Sequence, residues 1–535
     1  MTRPHGEGIS VEHVAFRADA CERIGGGHVV RCLALGEAVR RRGGRVSFVC
    51  GSLTAGAKAA IEAAGHRLLR IAPLPAAASA DWDRAPLPPP VQEEDWAATL
   101  AALATDRPSW IVVDHYRLDR QWEGPARTSR FRLAVLDDLA NRPHDCDLLV
   151  DQTFGRSAAD YDGLVGGAAR RLTGSAYALL RPEFAAARPE ALARRRSAGP
   201  VRRVLVSLGT TDPGGATAPA VEAALAAAPD AEVDVVLARG APSRTRVEAL
   251  AAASSRVRVH DEADMAALGS AADLAVGAAG GSAWERCCLG LPSVILVLAA
   301  NQRLVAAGLD AIGAARAAAS VEEAKAALAA LVAEADARLA MTAAAAPVAD
   351  GLGAERVVAE MAGGAAASGE GVRLRRATAD DAERVWLWRN DPGTRAVSQQ
   401  HAPVPWPDHS AWWARAIAAP ERDLFIVEQA GRPVAMVRFD LTGAGAAEVS
   451  INLAPETRGR GLGKEVLAAG CEAVSAARGP IRLEAAVQAG NHASRRIFEA
   501  LGFRRSAGLG EDGFDRYVRP AQEEATETGE DVVQR

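Results

Sequence analysis

No two of the seven cysteines, at positions 21, 32, 50, 146, 287, 288 and 471, have C-x-x-C spacing. An odd number so scattered indicates neither a disulfide framework nor a cysteine-ligated zinc site. Cys287 and Cys288, adjacent in a helical stretch, read as small core residues. Basic residues are not in excess: 62 Lys and Arg against 67 Asp and Glu leave a net charge of -5, which is no footprint for nucleic acid or an anionic membrane. No charge-free apolar run is long enough to cross a bilayer, and the opening "MTRPHGEGIS" lacks the apolar core of a signal peptide. The cytoplasm is the expected compartment and small molecules are the expected partners. Aromatic residues are only 4% of the chain, yet hydrophobic residues reach 49%, enough for packed cores. No set of metal ligands stands out, and oligomeric state is not legible.

At 535 residues the chain exceeds one domain, and it reads as three compact units. Residues 1–190 alternate apolar runs ("EHVAF", "RVSFV", "WIVVD", "RLAVLD", "DLLVD") with helical patterns such as "VVRCLALGEAVRRR". Continuous apolar strands alternating with helices predict a parallel sheet covered on both faces. The polar, proline-punctuated "AAARPEALARRRSAGPVRR" reads as a linker. The alternation then restarts over 191–361 with "RVLVSLG", "EVDVVLA", "RVRVH", "DLAVG" and "SVILVLA". The fold class is therefore α/β, two Rossmann-like lobes with a cleft between them, followed by an α+β unit. "AGGAAASGEG" at 362–371 is a linker, residues 372–519 make the last domain, and the acidic tail 520–535 is expected to be disordered.

One of only ten histidines, His28, directly follows Gly25, Gly26 and Gly27 at a strand-to-helix junction. Glycines there let the backbone approach an anion, with the first free N–H groups of the helix pointing at it. A histidine in that first turn feels the positive end of the helix dipole, which opposes protonation and leaves a proton acceptor. The alternative is a histidine that only caps or packs. Its place at the carboxyl end of a sheet strand, where α/β proteins bind ligands, favours chemistry. In the second half, "AVGAAGGSAWERCCLGLP" sets Gly277, Gly280, Gly281, Ser282 and Glu285 on another strand–turn–helix. Ser282 and Glu285 also fit a capping box, which accounts for the pair but not for the glycines. "SLGTTDPGG", with Gly209, is a third polar turn. Three such turns point to a diphosphate ligand.

"FRADACERIGGGHVVRCLAL", "VVDHYRLDRQWE", "VLDDLANRPHDCDLLVDQ", "YALLRPEF" and "WERCCLGLPSVILVLAANQ" together closely resemble the UDP-sugar hydrolases of pseudaminic acid biosynthesis. The resemblance runs over about residues 12–350. It implies a GT-B fold and hydrolysis of UDP-2,4-diacetamido-2,4,6-trideoxy-β-L-altropyranose to UDP and the free sugar. It also implies that His28 deprotonates a water that attacks the anomeric carbon with inversion. Gly27 belongs to the same turn. The resemblance further implies that Gly280, Gly281 and Ser282 hold the diphosphate, that Glu285 holds the ribose, and that Tyr116 and Asn301 line the sugar end. Asp19 reads as a sugar-hydroxyl contact, a partner of His28, or a structural residue. His115 points away from Tyr116 on a strand and reads as structural, and Asp137 and Asp138 read as a strand end in preference to binding residues. The chain departs from the family at Gly209-Thr210 and at Gly281-Ser282-Ala283, both in the UDP half.

In the last unit "VSINLAPETRGRGLGKEVLAAGCEAV" places a strand before R-G-R-G-L-G, which opens a helix. Arg458, Gly459, Gly461 and Gly463 fit a pyrophosphate-cradling turn, and "VQAGNHASRRIFEALGFRR" follows with Asn491, Ser494 and Phe498. Both segments resemble GNAT acetyltransferases, which implies acetyl-CoA as co-substrate, its acyl end lying along the strand that carries Ile451 and Leu453. "RVWLWRNDPGTR" and "HSAWWARAI" resemble the acetyltransferase that precedes the hydrolase in the same pathway and acetylates a UDP-4-amino sugar. Glu448 reads as the base or as a solvated strand residue, and Tyr517 as the acid for the leaving thiolate. The tryptophan cluster reads mainly as core, with Trp388 or Trp406 as alternatives for stacking on substrate; Arg389 and Asn390 lie in the same segment. Two other readings remain: a GT-B glycosyltransferase, and a nucleotide-sugar-binding regulator whose last domain acetylates proteins.

Overall fold

A computed structural model describes residues 11–521, apart from 22–24, 76–85, 128–130, 198, 210–211, 213, 262, 363–371, 430–431, 444, 459–460 and 510–512. The expected linker, beyond Ala362, and the expected tail, beyond residue 521, lie outside the described residues. The chain divides into two compact units, residues 1–364 and 365–535.

The first unit contains two parallel sheets. Its first seven strands are β1 (His13–Ala18), β2 (Arg45–Cys50), β3 (Arg67–Arg70), β4 (Trp110–Asp114), β5 (Arg132–Leu136), β6 (Leu148–Asp151) and β7 (Arg170–Thr173). They lie in the order β3-β2-β1-β4-β5-β6-β7. The second sheet is built from β8 (Arg203–Ser207), β9 (Glu232–Val236), β10 (Val257–His260), β11 (Leu274–Gly277), β12 (Ser293–Leu296) and β13 (Arg316–Ala318). Its order is β10-β9-β8-β11-β12-β13. Each sheet thus winds outward in both directions from a central pair, β1/β4 in one and β8/β11 in the other. Such a reversal opens a crevice at the carboxyl ends of the central strands, where ligands bind. Every residue of β1, β4 and β11 is buried, the expected state of strands covered on both faces.

The chain passes between the lobes twice, not once through a linker. The stretch read as a linker forms a helix, Pro182–Arg194, whose Phe184, Ala191 and Leu192 are buried. Pro182 stands in its first turn, where no amide donor is needed, and Ala and Leu carry the helix past Pro189. A second crossing comes at the end of the unit. Helix Gly353–Met361 packs Val357, Val358 and Met361 into the core of the first lobe, and Trp110 Nε1 donates to the Met361 carbonyl at 3.1 Å. The second lobe therefore ends before residue 361. Gly353 makes the docking possible, because a Cβ there would lie 2.2 Å from the Ala178 carbonyl oxygen. Gly353→Ala is expected to destabilise the first unit by about 2 kcal/mol, the cost of forcing a methyl into packed backbone. Calorimetric melting of the variant should show it, and an unchanged Tm would contradict this docking.

The second unit is a mixed sheet. Its strands are β14 (Arg373–Arg376), β15 (Arg422–Gln429), β16 (Arg432–Gly443), β17 (Ala446–Leu453), β18 (Arg482–Gln488), β19 (Arg504–Leu509) and β20 (Phe514–Arg519), in the order β14-β15-β16-β17-β18-β20-β19. Among the described residues β17 and β18 are the one neighbouring pair that runs parallel, joined by helix Leu462–Arg478. Their pairing is confined to Ala446–Glu448 with Arg482–Glu484, so the two strands part beyond Glu448. Trp388 and Trp413 are buried in a core between the sheet and its helices, and Trp406 meets Trp386 edge-on, with ring centroids 5.4 Å apart.

Candidate functional site

At the end of β1 the backbone turns through Gly25, whose φ is +71°, and helix Gly27–Arg41 begins with Gly26 as its N-cap and no side-chain cap. A Cβ at Gly25, Gly26 or Gly27 would meet nothing within 4 Å, so open space lies in front of this turn. His28, 6% exposed, reaches across the switch point to β4, where its Nδ1 hydrogen-bonds a carboxylate oxygen of Asp114. Asp114 is fully buried and is also clamped by Arg31, whose Nε and Nη2 donate to its two oxygens at 2.6 Å each. Burial works against its charge, but Arg31 and His28 hold the Asp114 carboxyl well below the usual carboxylate range. The ionised carboxylate accepts a hydrogen bond from Nδ1–H, which leaves the imidazole lone pair on Nε2. Among the described residues Nε2 has no partner.

Arg31 extends the network by donating to Asp138 at 2.9 Å. Asp138 also accepts from the Tyr116 hydroxyl at 3.0 Å, and the Tyr116 ring stands edge-on to His28 with centroids 4.5 Å apart. Tyr116 is thus beside His28, with its hydroxyl turned to Asp138. The sequence does not single out Asp114 or Arg31, and it offers Asp138 chiefly as a strand end. Strand alternation held the signal for Asp114: residues two apart share a face, so the argument that separates His115 from Tyr116 places Asp114 on Tyr116's side. Nothing local marks Arg31 or Asp138, which meet only through the fold.

Asp19 is not the partner of His28. It accepts from Arg17 at 2.8 Å and from the Gly51 and Ser52 amides at 2.8 and 3.1 Å, and it lies 3.5 Å from His115 Nε2. A buried arginine beside it captures the carboxylate, and Asp19 ties the end of β2 to β1. Asp137 is likewise internal, paired with Arg142 at 2.8 Å.

In the second lobe Gly209 follows β8 with φ +106°, a conformation that favours glycine. Asp212 then caps the next helix, accepting from the Ala216 amide at 2.9 Å. After β11, Gly280 is the N-cap of helix Gly281–Cys288, and a Cβ at Gly280 or Gly281 would meet nothing within 4 Å. Ser282 is therefore inside the helix, and the capping box read from the sequence does not form. Its hydroxyl instead accepts from Arg286 Nη1 at 3.1 Å. Glu285 lies 3.8 Å from Arg181, and burial pushes its carboxyl above the usual range although Arg181 opposes the shift. Ser207, Ser282, Glu285 and Arg286 share one small pocket. Asn301 falls in the short turn Ala300–Gln302.

In the second unit Gly461, with φ +80°, is the left-handed N-cap of helix Leu462–Arg478. Gly463 serves packing, because a Cβ there would lie 2.4 Å from Ile497 Cδ1. Gly459 lies outside the described residues. Ile451 and Leu453 pack on the helix side of β17, while Glu448 is partly exposed on the other side, with Asp440 and Glu484 as its cross-strand neighbours. Four side chains expected at the acetyl-CoA site are held internally. Arg458 pairs with Asp391 and Thr394, and the Asn491 side chain caps its own helix by accepting from the Ser494 amide at 3.1 Å. Phe498 is buried in the core. Tyr517 is fully buried, its hydroxyl accepting from Arg495 at 3.2 Å and donating to Glu499 at 3.3 Å, so it is not free to act as the acid. The parting of β17 from β18 beside the amide turn at Gly461 remains, and it fits an extended thioester whose pyrophosphate meets backbone N–H groups.

The architecture defines a two-lobed Rossmann-like α/β protein joined to an acetyltransferase domain: residues 372–504 match the acetyltransferase (GNAT) domain family. Over 174 residues, 32% of this chain, the sequence is 26% identical to the UDP-2,4-diacetamido-2,4,6-trideoxy-beta-L-altropyranose hydrolase of Campylobacter jejuni. That match spans about half of the relative, 53% of its length. Among solved structures, MurG of Acinetobacter baumannii is 15% identical, with 65% of this chain and 98% of MurG covered at a TM-score of 0.46. Spermidine N-acetyltransferase of Vibrio cholerae, solved with CoA and spermine, is 15% identical, with 28% and 92% covered at a TM-score of 0.25. Among the described residues no cluster of His, Cys, Asp and Glu has the makings of a metal site, and no helix is long and apolar enough to cross a membrane.

Proposed function

We propose that the chain carries out two consecutive steps on one UDP-linked amino sugar: the last domain N-acetylates a UDP-4-amino sugar, and the two lobes hydrolyse the UDP-diacetamido product to UDP and the free sugar. The observation that carries the hydrolytic half is the His28–Asp114 pair at the β1/β4 switch point. The partial likeness to a UDP-sugar hydrolase supports it. In this reading His28 Nε2 takes a proton from water, and the oxygen attacks the anomeric carbon as the bond to the UDP oxygen breaks. The electron pair leaves with UDP, and the sugar inverts. Backbone N–H groups of the Gly280–Ser282 turn meet the charge that develops on the diphosphate.

In the acetylation half the amide turn at Gly461 and the flank of β17 would hold acetyl-CoA, which supplies the acyl group when bound. Glu448, where the strands part, accepts a proton from the acceptor's ammonium.

Incubation of the purified chain with the UDP-4-amino sugar, followed by mass spectrometry, tests both halves. With acetyl-CoA, UDP and a free diacetamido sugar are expected; without it, unchanged substrate. An acetylated UDP-sugar that persists until a sugar acceptor is added would make the two lobes a transferase. Substrate left unacetylated in the presence of acetyl-CoA would remove the second half.

A further inference from the structure

Directly beneath the glycine turn of the second lobe lies a charge that the mechanism above does not use. Arg286 is 6% exposed. Its Nη2 donates to the Ala278 carbonyl at 2.7 Å and its Nη1 to Ser282 Oγ at 3.1 Å, while Nε is buried with no partner. Among the described residues no carboxylate pairs with it, since neighbouring Glu285 lies against Arg181. Gly277 provides the space: a Cβ there would fall 2.2 Å from Arg286 Nη1. Burial lowers the Arg286 pKa below its ordinary value, with Cys287 and Glu285 opposing the shift.

A buried guanidinium without a counter-ion is costly, and the fold has left room for it beneath a glycine turn that opens a helix. The serine above it decides what the arrangement does. A hydroxyl has one proton to donate and two lone pairs. With Arg286 donating to one lone pair, the Ser282 O–H is free to donate a hydrogen bond to a ligand. Helix Gly281–Cys288 has no side-chain cap, and although the Ala283 amide donates to the Gly280 carbonyl at 2.9 Å, the Gly281 and Ser282 amides are available to the same ligand. Arg286, Ser282, Ser207 and Glu285 line one small cavity beneath the turn, so the arginine and the serine lie side by side.

We infer that Ser282 and Arg286 form a relay for the diphosphate of a nucleoside diphosphate: the serine hydroxyl donates to a phosphate oxygen, and the arginine, acting through the serine, orients that hydroxyl and supplies the opposing charge. Arg286 is a positioning residue. The inference rests on the reading of this lobe as the UDP half.

Calorimetric titration of the full chain with UDP and with uridine tests it on Ser282→Ala, Arg286→Gln and Arg286→Lys. Ser282→Ala and Arg286→Gln should each weaken UDP binding at least tenfold, and the double variant should lose little more than either alone. Arg286→Lys should fall between wild type and Arg286→Gln, and uridine affinity should stay within twofold throughout. If Arg286→Gln does not fold, Ser282→Ala and Arg286→Lys decide the matter. Unchanged UDP affinity in those variants overturns the relay while leaving the UDP assignment intact. Parallel loss of uridine binding makes Arg286 merely structural and also overturns it. A wild-type chain that binds no UDP overturns the UDP reading together with the relay.

Discussion

His28→Ala should slow UDP release by roughly 10²–10⁴-fold, the range that positioned acid–base groups contribute, with UDP affinity nearly unchanged. The size of the effect follows from how completely the fold commits this ring. One nitrogen is bound to a carboxylate that Arg31 keeps ionised, and the ring sits at the switch point of the sheet with open space before its turn. Asp114→Asn should act in the same direction but less strongly, because an amide no longer selects the tautomer with its lone pair on Nε2. Steady-state rates and titration with UDP check both variants. Turnover that survives without His28 would leave the hydrolysis without a base and would move the search to another residue.

Gly461→Asp should reduce acetylation at least 100-fold and leave UDP release within twofold. Two physical effects combine at this position. The left-handed φ of +80° costs a side chain up to about 1–2 kcal/mol, less for Asp than for most residues. The new carboxylate would also stand where backbone amides open helix Leu462–Arg478, repelling a pyrophosphate from the partial positive charge that would attract it. The two activities should separate because residues 365–535 form a compact unit of their own. Thiol release from acetyl-CoA and UDP release, measured on the same preparation, distinguish the outcomes. Equal loss of both activities would show that the two reactions do not run on independent cores.

Much of the architecture was legible because it depends on patterns that are local in the chain. Uninterrupted, β-branched apolar runs such as "WIVVD" read as strands covered on both faces, and their alternation with helical segments points to a parallel sheet. The glycines before His28 and around Gly280 announced strand-to-helix turns, and R-G-R-G-L-G announced the turn that ends in the left-handed Gly461. The helix from Pro182 to Arg194 was less visible. Its polar and proline-rich composition resembles a linker, and only packing against the second lobe shows which of its faces is buried.

The side-chain partners were not legible, for one reason: a carboxylate goes to whichever cation the fold brings nearest. Asp19, close to His28 in sequence, is taken by Arg17, whereas Asp114, 86 positions away, reaches the imidazole. Ser282 looked like a cap because its spacing to Glu285 is right. It is not one, because the helix begins one residue before it and Arg286 claims its oxygen. Tyr517 reads as a free hydroxyl until the sheet buries it beside Arg495 and Glu499. By itself, then, the sequence determined the strands, the turns and the α/β class, since backbone conformation and burial periodicity are set within a few neighbouring residues. Only the tertiary structure decided which charges meet at those turns, because ion pairing depends on distances of a few ångströms between residues that the chain keeps far apart.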